Sequence, residues 1–188
     1  YINNPDYPDY PARQNHPNYP ATAYCDDAYA FSALDFVRAQ ALNYHATGQP
    51  FFGLVGVQVP HSPYDEIAQL PDWDEAYATN APFATLSAQA KQWAAMVTRI
   101  DAHFGNILDA LEDPNHDGDT SDSVARDTLI LFQSDNGGPG NSARSELDAN
   151  GGLRGSKGSI YEGGIRVPTL MRWPAMINAT SALPAGVS

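Results

Sequence analysis

The sequence predicts an α/β layered domain. Three observations predict it: two amphipathic helical stretches, three apolar runs of strand length, and their alternation along the chain in the order helix, strand, helix, strand, loop, strand. Chain length, 188 residues, suffices for one domain with a sizeable core.

The elements follow in order. Residues 1–23, YINNPDYPDYPARQNHPNYP and what succeeds it, are rich in Pro, Asn and Tyr without periodicity and read as loop. From Asp26 to Thr47, Ala30, Leu34, Val37, Ala41 and Leu42 recur at helical spacing, and Gly48 closes the helix. Phe51 to Val59 reads as a buried strand that Pro60 ends, with His61 in the loop just beyond. Asp65 to Pro82 is irregular, with Trp73 and Tyr77 as anchors. Ser87 to Leu111 predicts a long amphipathic helix whose stripe is Trp93, Met96, Val97, Ile100, Phe104, Ile107, Leu108 and Leu111. After an acidic loop, Leu129 to Phe132 form a continuous apolar run, the mark of a strand buried on both faces. A glycine-rich segment then leads to a last strand, Ile165 to Arg172.

Composition excludes several functions. The hydrophobic fraction of 43% is that of a globular chain. A formal net charge of −12, with Lys plus Arg at 10, argues against a nucleic-acid binder, which needs a basic face. No apolar run approaches the roughly 18 residues of a membrane span. The single cysteine, Cys25, precludes an internal disulfide or a cysteine-rich zinc module and reads as a small buried residue. The absence of an initiating Met and of a signal-like start suggests a fragment.

Four segments carry chemistry. In Ser134-Asp135-Asn136-Gly137-Gly138, the strand delivers a carboxylate and an amide oxygen side by side at its carboxyl end, where open α/β sheets bind ligands. Such oxygens suit a hard cation, although Asp-Asn-Gly-Gly is equally turn chemistry. In Val59-Pro60-His61-Ser62-Pro63, prolines stiffen the backbone about a His able to hold an anion or pass a proton; a plain surface His is the alternative. In Leu153-Arg154-Gly155-Ser156-Lys157-Gly158-Ser159, glycines let the backbone approach a ligand while Lys157 supplies a compact charge. A flexible loop with a solvated Lys is the other reading, and the spacing is not that of a Walker A loop. In Tyr161-Glu162-Gly163-Gly164-Ile165-Arg166, the glycines turn the chain and Glu162 with Arg166 reads as a structural pair.

The succession PFFGLVGVQVPHSPY, DAHFGNILDALED, TLILFQSDNGG and LRGSKGSIYEGGIRVPTLMRWP resembles the type I, formylglycine-dependent sulfatases of the alkaline-phosphatase-like superfamily, over Tyr24 to Pro174. The resemblance implies a mixed, mostly parallel central sheet flanked by helices, of which residues 1–188 are a partial catalytic domain. It implies Asp135 and Asn136 as ligands of calcium, or of magnesium, and Lys157 and His61 as sulfate-contacting catalytic residues. The family's nucleophile is a formylglycine made in a C-x-P-S-R or S-x-P-S-R motif, and no stretch here matches it. It is expected upstream, with the tandem Asp pair of the metal site, so that the fragment alone should be inactive.

The implied function is hydrolysis of a sulfate ester in the intact protein. A phosphoesterase or phosphonate hydrolase of the same superfamily, and a non-catalytic binding protein of the same fold, are the alternatives. The implied partners are a sulfated small molecule or a sulfated carbohydrate, and the implied location is periplasmic, extracellular or lysosomal. Asn178-Ala179-Thr180 is a glycosylation sequon. Residues 1–23, 62–86 and 138–152 are candidate specificity loops, and Tyr64, Trp73 and Tyr77 either stack on a sugar or anchor their loop. Asp113, Asn115, Asp117, Gly118 and Asp119 copy the first half of a calcium loop, but Val124 stands where the bidentate acid belongs; a solvated acidic turn competes with a cation site there.

Overall fold

The computed structural model describes residues 25–62 and 83–177. Helix α1 spans Cys25–Thr47. Its buried residues Ala30, Leu34, Val37 and Ala41 repeat every three or four positions, so one face is apolar. Gly48, at φ +72°, turns the chain out of the helix, and its N–H closes on the Tyr44 carbonyl at 2.7 Å. Leu42, expected on the buried stripe, is exposed, since it lies one step of about 100° beyond Ala41. The Cys25 side chain lies outside the described residues.

Helix α2 spans Ala88–Glu112, one residue off the expected bounds. Ser87 caps it, its hydroxyl accepting the Ala90 N–H at 3.2 Å. Met96 and Leu111 are buried, and Trp93, Ile100, Phe104, Ile107 and Leu108 are half-buried, as the stripe predicted. Val97 is exposed, and Ala90, Ala95, Ala110 and His103 take buried places instead. The alanines let neighbouring elements approach closely, His103 reaches across to Asp27 of α1, and the two helices pack against each other. The core they build contains Leu34, Val37, Ala41, Ala110, Leu111, Val124 and Ala125. Burial of one leucine such as Leu34 stabilises by about 2 kcal/mol.

Strands β1 (Ile130–Gln133) and β2 (Thr169–Arg172) pair antiparallel, Ile130 opposite Arg172 and Gln133 opposite Thr169. One face meets the helices: Ile130 packs on the core, and the Phe132 ring lies 5.3 Å from that of Phe104. The other face, with Leu131 and Met171, is exposed, so the described residues do not bury β1 on both faces as its apolar run predicted. They contain a mixture of helix and strand, and the expected mostly parallel sheet is not among them; their sheet is two-stranded and antiparallel. Strand β2 also begins later than predicted. Glu162–Ile165 winds into one helical turn, and Pro168, which lacks an N–H, delays the ladder.

Phe51–Val59 is not a strand. Phe52 and Leu54 are 84% and 88% exposed. Among the described residues no strand lies alongside to complete a ladder, and the Gln58 and Val59 N–H groups turn to a side chain instead, Asp26 Oδ1.

Two short α-helices and the single 3-10 turns Phe83–Thr85 and Thr120–Asp122 complete the described elements. Helix α3 (Ser142–Leu147) is capped by Asn141, whose Oδ1 accepts the Ala143 N–H at 3.0 Å, and ends on Asp148 in the left-handed region. Helix α4 is the turn Glu162–Ile165. Glu146 of α3 accepts from the Ser87 N–H and hydroxyl at 2.7 and 2.6 Å, tying α3 to the start of α2.

Candidate functional site

Three glycine-rich segments meet at the end of β1. The first, 134–140, leaves the strand; the second, 150–159, follows α3; the third is α4. Their backbones lock together. Gly137 N–H donates to the Gly164 carbonyl at 3.0 Å, Lys157 N–H to Gly138 at 2.9 Å, and Gly163 N–H to Arg154 at 2.8 Å. A Cβ on Gly137 would strike the Gly163 carbonyl, and one on Gly163 or Gly164 would strike the carbonyls of Gly155 or Ser159. Glycine is required here for close approach of main chain to main chain.

This packing sets three of the four sequence-predicted site residues on adjoining loops. Asp135 is exposed and Asn136 half-buried, on a turn fixed by the Ser134 hydroxyl donating to the Asn136 carbonyl at 2.9 Å. Lys157 has an exposed side chain, while its backbone is bonded to Gly138, two residues past Asn136. The 156–159 turn behind it is closed by Ser159, whose hydroxyl accepts from Ser156 N–H at 3.1 Å and donates to the Ser156 carbonyl at 2.8 Å.

His61 is not joined to the other three. Among the described residues its hydrogen bonds stay within its own turn, which follows a cis Val59–Pro60 bond: its N–H donates to Gln58 at 2.9 Å and its Nδ1 meets the Ser62 carbonyl at 2.8 Å. A carbonyl only accepts, so Nδ1 carries a proton in this contact and the neutral form of the ring would keep Nε2 as its acceptor.

The neighbouring charges are partly engaged. Arg154 lies over the Tyr161 ring, 3.7 Å from its centroid, and donates to its hydroxyl at 2.7 Å. Glu162 and Arg166 form the predicted pair at 2.9 Å. As for a cation, Asp135 and Asn136 offer oxygens only, which fits the chemistry of calcium or magnesium. Two donors fall short of a full shell, and among the described residues no group of three or more His, Cys, Asp or Glu side chains is arranged to hold a metal.

In the acidic loop, the side-chain oxygens of Asp113, Asn115, Asp117 and Asp119 accept backbone N–H groups of the loop itself, as turn residues do. The buried Asp122 carboxylate finds no hydrogen-bond partner among the described residues. Tyr64, Trp73, Tyr77, residues 1–23 and the sequon Asn178–Thr180 lie outside them.

Sequence reasoning passed over two residues that organise these loops. Asp26, 1% exposed, accepts Gln58 N–H at 2.5 Å and Val59 N–H at 3.2 Å, directly before the His61 turn. Asn150 bridges the carbonyls of Gly155 and Gly138. Only burial distinguishes them, since an Asp in a helix's first turn and an Asn before Gly-Gly are ordinary at those places.

The Sulfatase family model matches residues 1–186. A Formosa agariphila sulfatase is 36% identical over 70% of the chain and 22% of its own length. Human N-acetylgalactosamine-6-sulfatase is 32% identical over 80% of the chain and 24% of its own length. An endo-4-O-sulfatase of Bacteroides thetaiotaomicron is 28% identical over 72% and 26%. The chain thus spans about a quarter of the length of the curated relatives it matches. No solved structure matches.

Proposed function

The chain belongs to the sulfatase family, and from that premise we propose that the protein hydrolyses a sulfate ester, with Lys157 and His61 on the sulfate and Asp135 and Asn136 on a divalent cation. The observation that carries this reading is the backbone joint between Lys157 and Gly138. It ties an exposed ammonium to the loop that offers the cation its oxygens. Cleavage of a sulfate ester builds charge on the leaving oxygen and redistributes it over the sulfuryl oxygens, so fixed positive groups around one sulfate are what the reaction requires.

Lys157 brings three N–H donors and a full charge on a flexible stem, and holds a sulfate oxygen. His61 is anchored through Nδ1 to Ser62, which leaves Nε2 as its second ring nitrogen; protonated there, it donates to a sulfate oxygen or to the departing alcohol. Asp135 and Asn136 would each give one oxygen to calcium, or to magnesium in second place. Bound there, the cation supplies Lewis-acid withdrawal of charge from the sulfate. The nucleophile implied by the family resemblance is a formylglycine, and no residue of this chain is assigned that role.

The chain is read as part of one alkaline-phosphatase-like catalytic domain with a mixed, mostly parallel sheet. The exposed apolar face of β1 and β2 supports this, being suited to cover by further layers. The substrate is read as a sulfated carbohydrate before any other sulfated small molecule, a choice supported by a relative named for N-acetylgalactosamine 6-sulfate. The location is read as exported, by resemblance alone; among the described residues no helix is long and apolar enough to cross a membrane.

The test is turnover by the whole protein, with calcium, of an aryl sulfate beside the matching aryl phosphate, phosphodiester and phosphonate. Sulfate release supports the reading. Preference for a phosphorus ester makes it a phosphoesterase or phosphonate hydrolase, and binding of a sulfated sugar without turnover makes it a binding protein.

A further inference from the structure

We propose that Asn150 is a positioning residue that sets the Lys157 loop against the Asp135–Asn136 loop. Asn150 is 8% exposed although it sits among turn residues, with exposed Gly151 and Gly152 directly after it. A buried amide is stable only when hydrogen-bonded. Its Nδ2 donates to the Gly155 carbonyl at 3.1 Å and to the Gly138 carbonyl at 3.5 Å. The Gly138 carbonyl is also the one that accepts Lys157 N–H at 2.9 Å. One side-chain amide therefore gathers main-chain groups from both loops.

The chemistry is specific to this side chain. Two acceptors converge on one terminal atom, so that atom must carry two protons. Asp, nearly the same size, only accepts when ionised and would face two carbonyls with negative charge; Ser offers one proton on a shorter stem; Gln is a methylene too long. The opposite amide orientation would set Oδ1 against the same carbonyls, so the contacts also fix which way the group points. Glycine at 138 completes the fit, because a Cβ there would run into Asn150 Oδ1.

The joint acts on function through the residues it spaces. This role rests on the reading of Lys157 and Asp135–Asn136 as sulfate and cation groups, whereas the joint itself does not. Displacing a reacting-site group by about 1 Å costs on the order of a hundredfold in rate. Asn150 touches neither substrate nor cation in this account. It holds the spacing between groups that do.

The experiment is Asn150→Asp in the whole protein, with three readouts: site-resolved amide exchange at Lys157, melting temperature, and kcat and KM on an aryl sulfate. The expected result is at least about tenfold faster exchange at Lys157 and a roughly 10- to 100-fold fall in kcat per folded molecule. Gly138→Ala reaches the same joint from the other side, displacing Asn150 without altering its chemistry, and serves also if Asn150→Asp does not fold. Unchanged Lys157 exchange in the folded variants overturns the proposal. A lower melting temperature with unchanged kcat and KM per folded molecule overturns the positioning role. A wild-type protein without sulfate turnover overturns the functional reading, and faster Lys157 exchange in the variants then still establishes the joint.

Discussion

Arg99 grips Asp27 with both arms of its guanidinium, Nε to Oδ1 at 2.9 Å and Nη2 to Oδ2 at 3.0 Å. His103 Nε2 reaches the same Oδ1 at 2.8 Å, with Phe31 edge-on to its ring. This cluster fastens α1 to α2 from within. Burial alone would raise the Asp27 carboxyl, but the hydrogen bonds from His103 and Arg99 outweigh it and hold the group below its ordinary value of 3.8.

A depressed carboxylate fixes the sign of the pH effect. Its stabilisation is fully present above the unfolded-state value and is lost as pH falls through the lowered folded-state value. Stability of the protein should therefore drop as pH goes below 3.8. Asp27→Asn should cost about 3 kcal/mol at neutral pH, because it removes one charge of a part-buried ion pair. It should also flatten the acid limb. Denaturant melts at neutral and acid pH check this, and an equally steep acid limb in the variant refutes it.

Asp26 faces a different partner from its neighbour and should respond differently to substitution. Its carboxylate holds the Gln58 and Val59 N–H groups. Asp26→Asn keeps an accepting oxygen, whereas Asp26→Ala leaves two N–H groups without it. Loss of such bonds costs about 1–3 kcal/mol. Amide exchange at Gln58 and Val59 should rise sharply in Asp26→Ala and little in Asp26→Asn. Equal exchange in the two variants would mean that the carboxylate does not hold this turn.

Both Asp residues also mark what the sequence concealed. Helices α1 and α2 were legible because apolar residues recur at helical spacing and Ser87 offers a cap. The glycine-rich segments were legible as loops, but their glycines read as turns or as room for a ligand, whereas Gly137, Gly163 and Gly164 serve the close approach of backbone to backbone. The run Phe51–Val59 misled, since apolar β-branched residues predict a strand only where a partner strand lies alongside, and pairing is non-local. The same holds for β1 and β2, whose antiparallel register joins Ile130 to Arg172. Asn150 was illegible for another reason. Local sequence makes it a turn residue, and only the third dimension brings Gly138 and Gly155 to its amide.

Gly137→Ala tests the interlock of the loops directly. The added methyl would meet the Gly163 carbonyl and crowd the Gly164 Cα, both backbone atoms with no side-chain freedom to yield. Overpacking of this kind costs about 1–3 kcal/mol. The variant should melt lower and show faster exchange at its own amide, which donates to Gly164. Gly105→Ala, where a Cβ meets nothing within 4 Å, is the matched control and should leave that amide unchanged. Equal behaviour of the two substitutions would mean that the loops yield easily.

Asp135 and Lys157 are read as acting on one sulfate through different physics, so their removal should separate two measurements. Asp135→Ala takes away the only charged oxygen of the adjacent pair and leaves the Asn136 amide. A hard cation needs six to eight oxygens about it in the case of calcium, and a carboxylate is its strongest protein donor. Metal bound by the whole protein should therefore fall below stoichiometric, and turnover should nearly vanish. Lys157→Ala removes the charge read as contacting the sulfate while leaving Asp135 and Asn136 in place. Its metal content should stay intact, and kcat should fall by about 100- to 1,000-fold, the usual loss when one preorganised donor to a charged transition state is removed. The Lys157 backbone bond to Gly138 persists in that variant, since alanine keeps the N–H, so the neighbouring loop should hold its shape and Gly137 its amide protection. Elemental analysis beside steady-state kinetics on an aryl sulfate distinguishes the two cases. Full metal content and normal turnover in Asp135→Ala would remove Asp135 from the cation site, and loss of metal in Lys157→Ala would mean that this lysine supports the loop and not the sulfate.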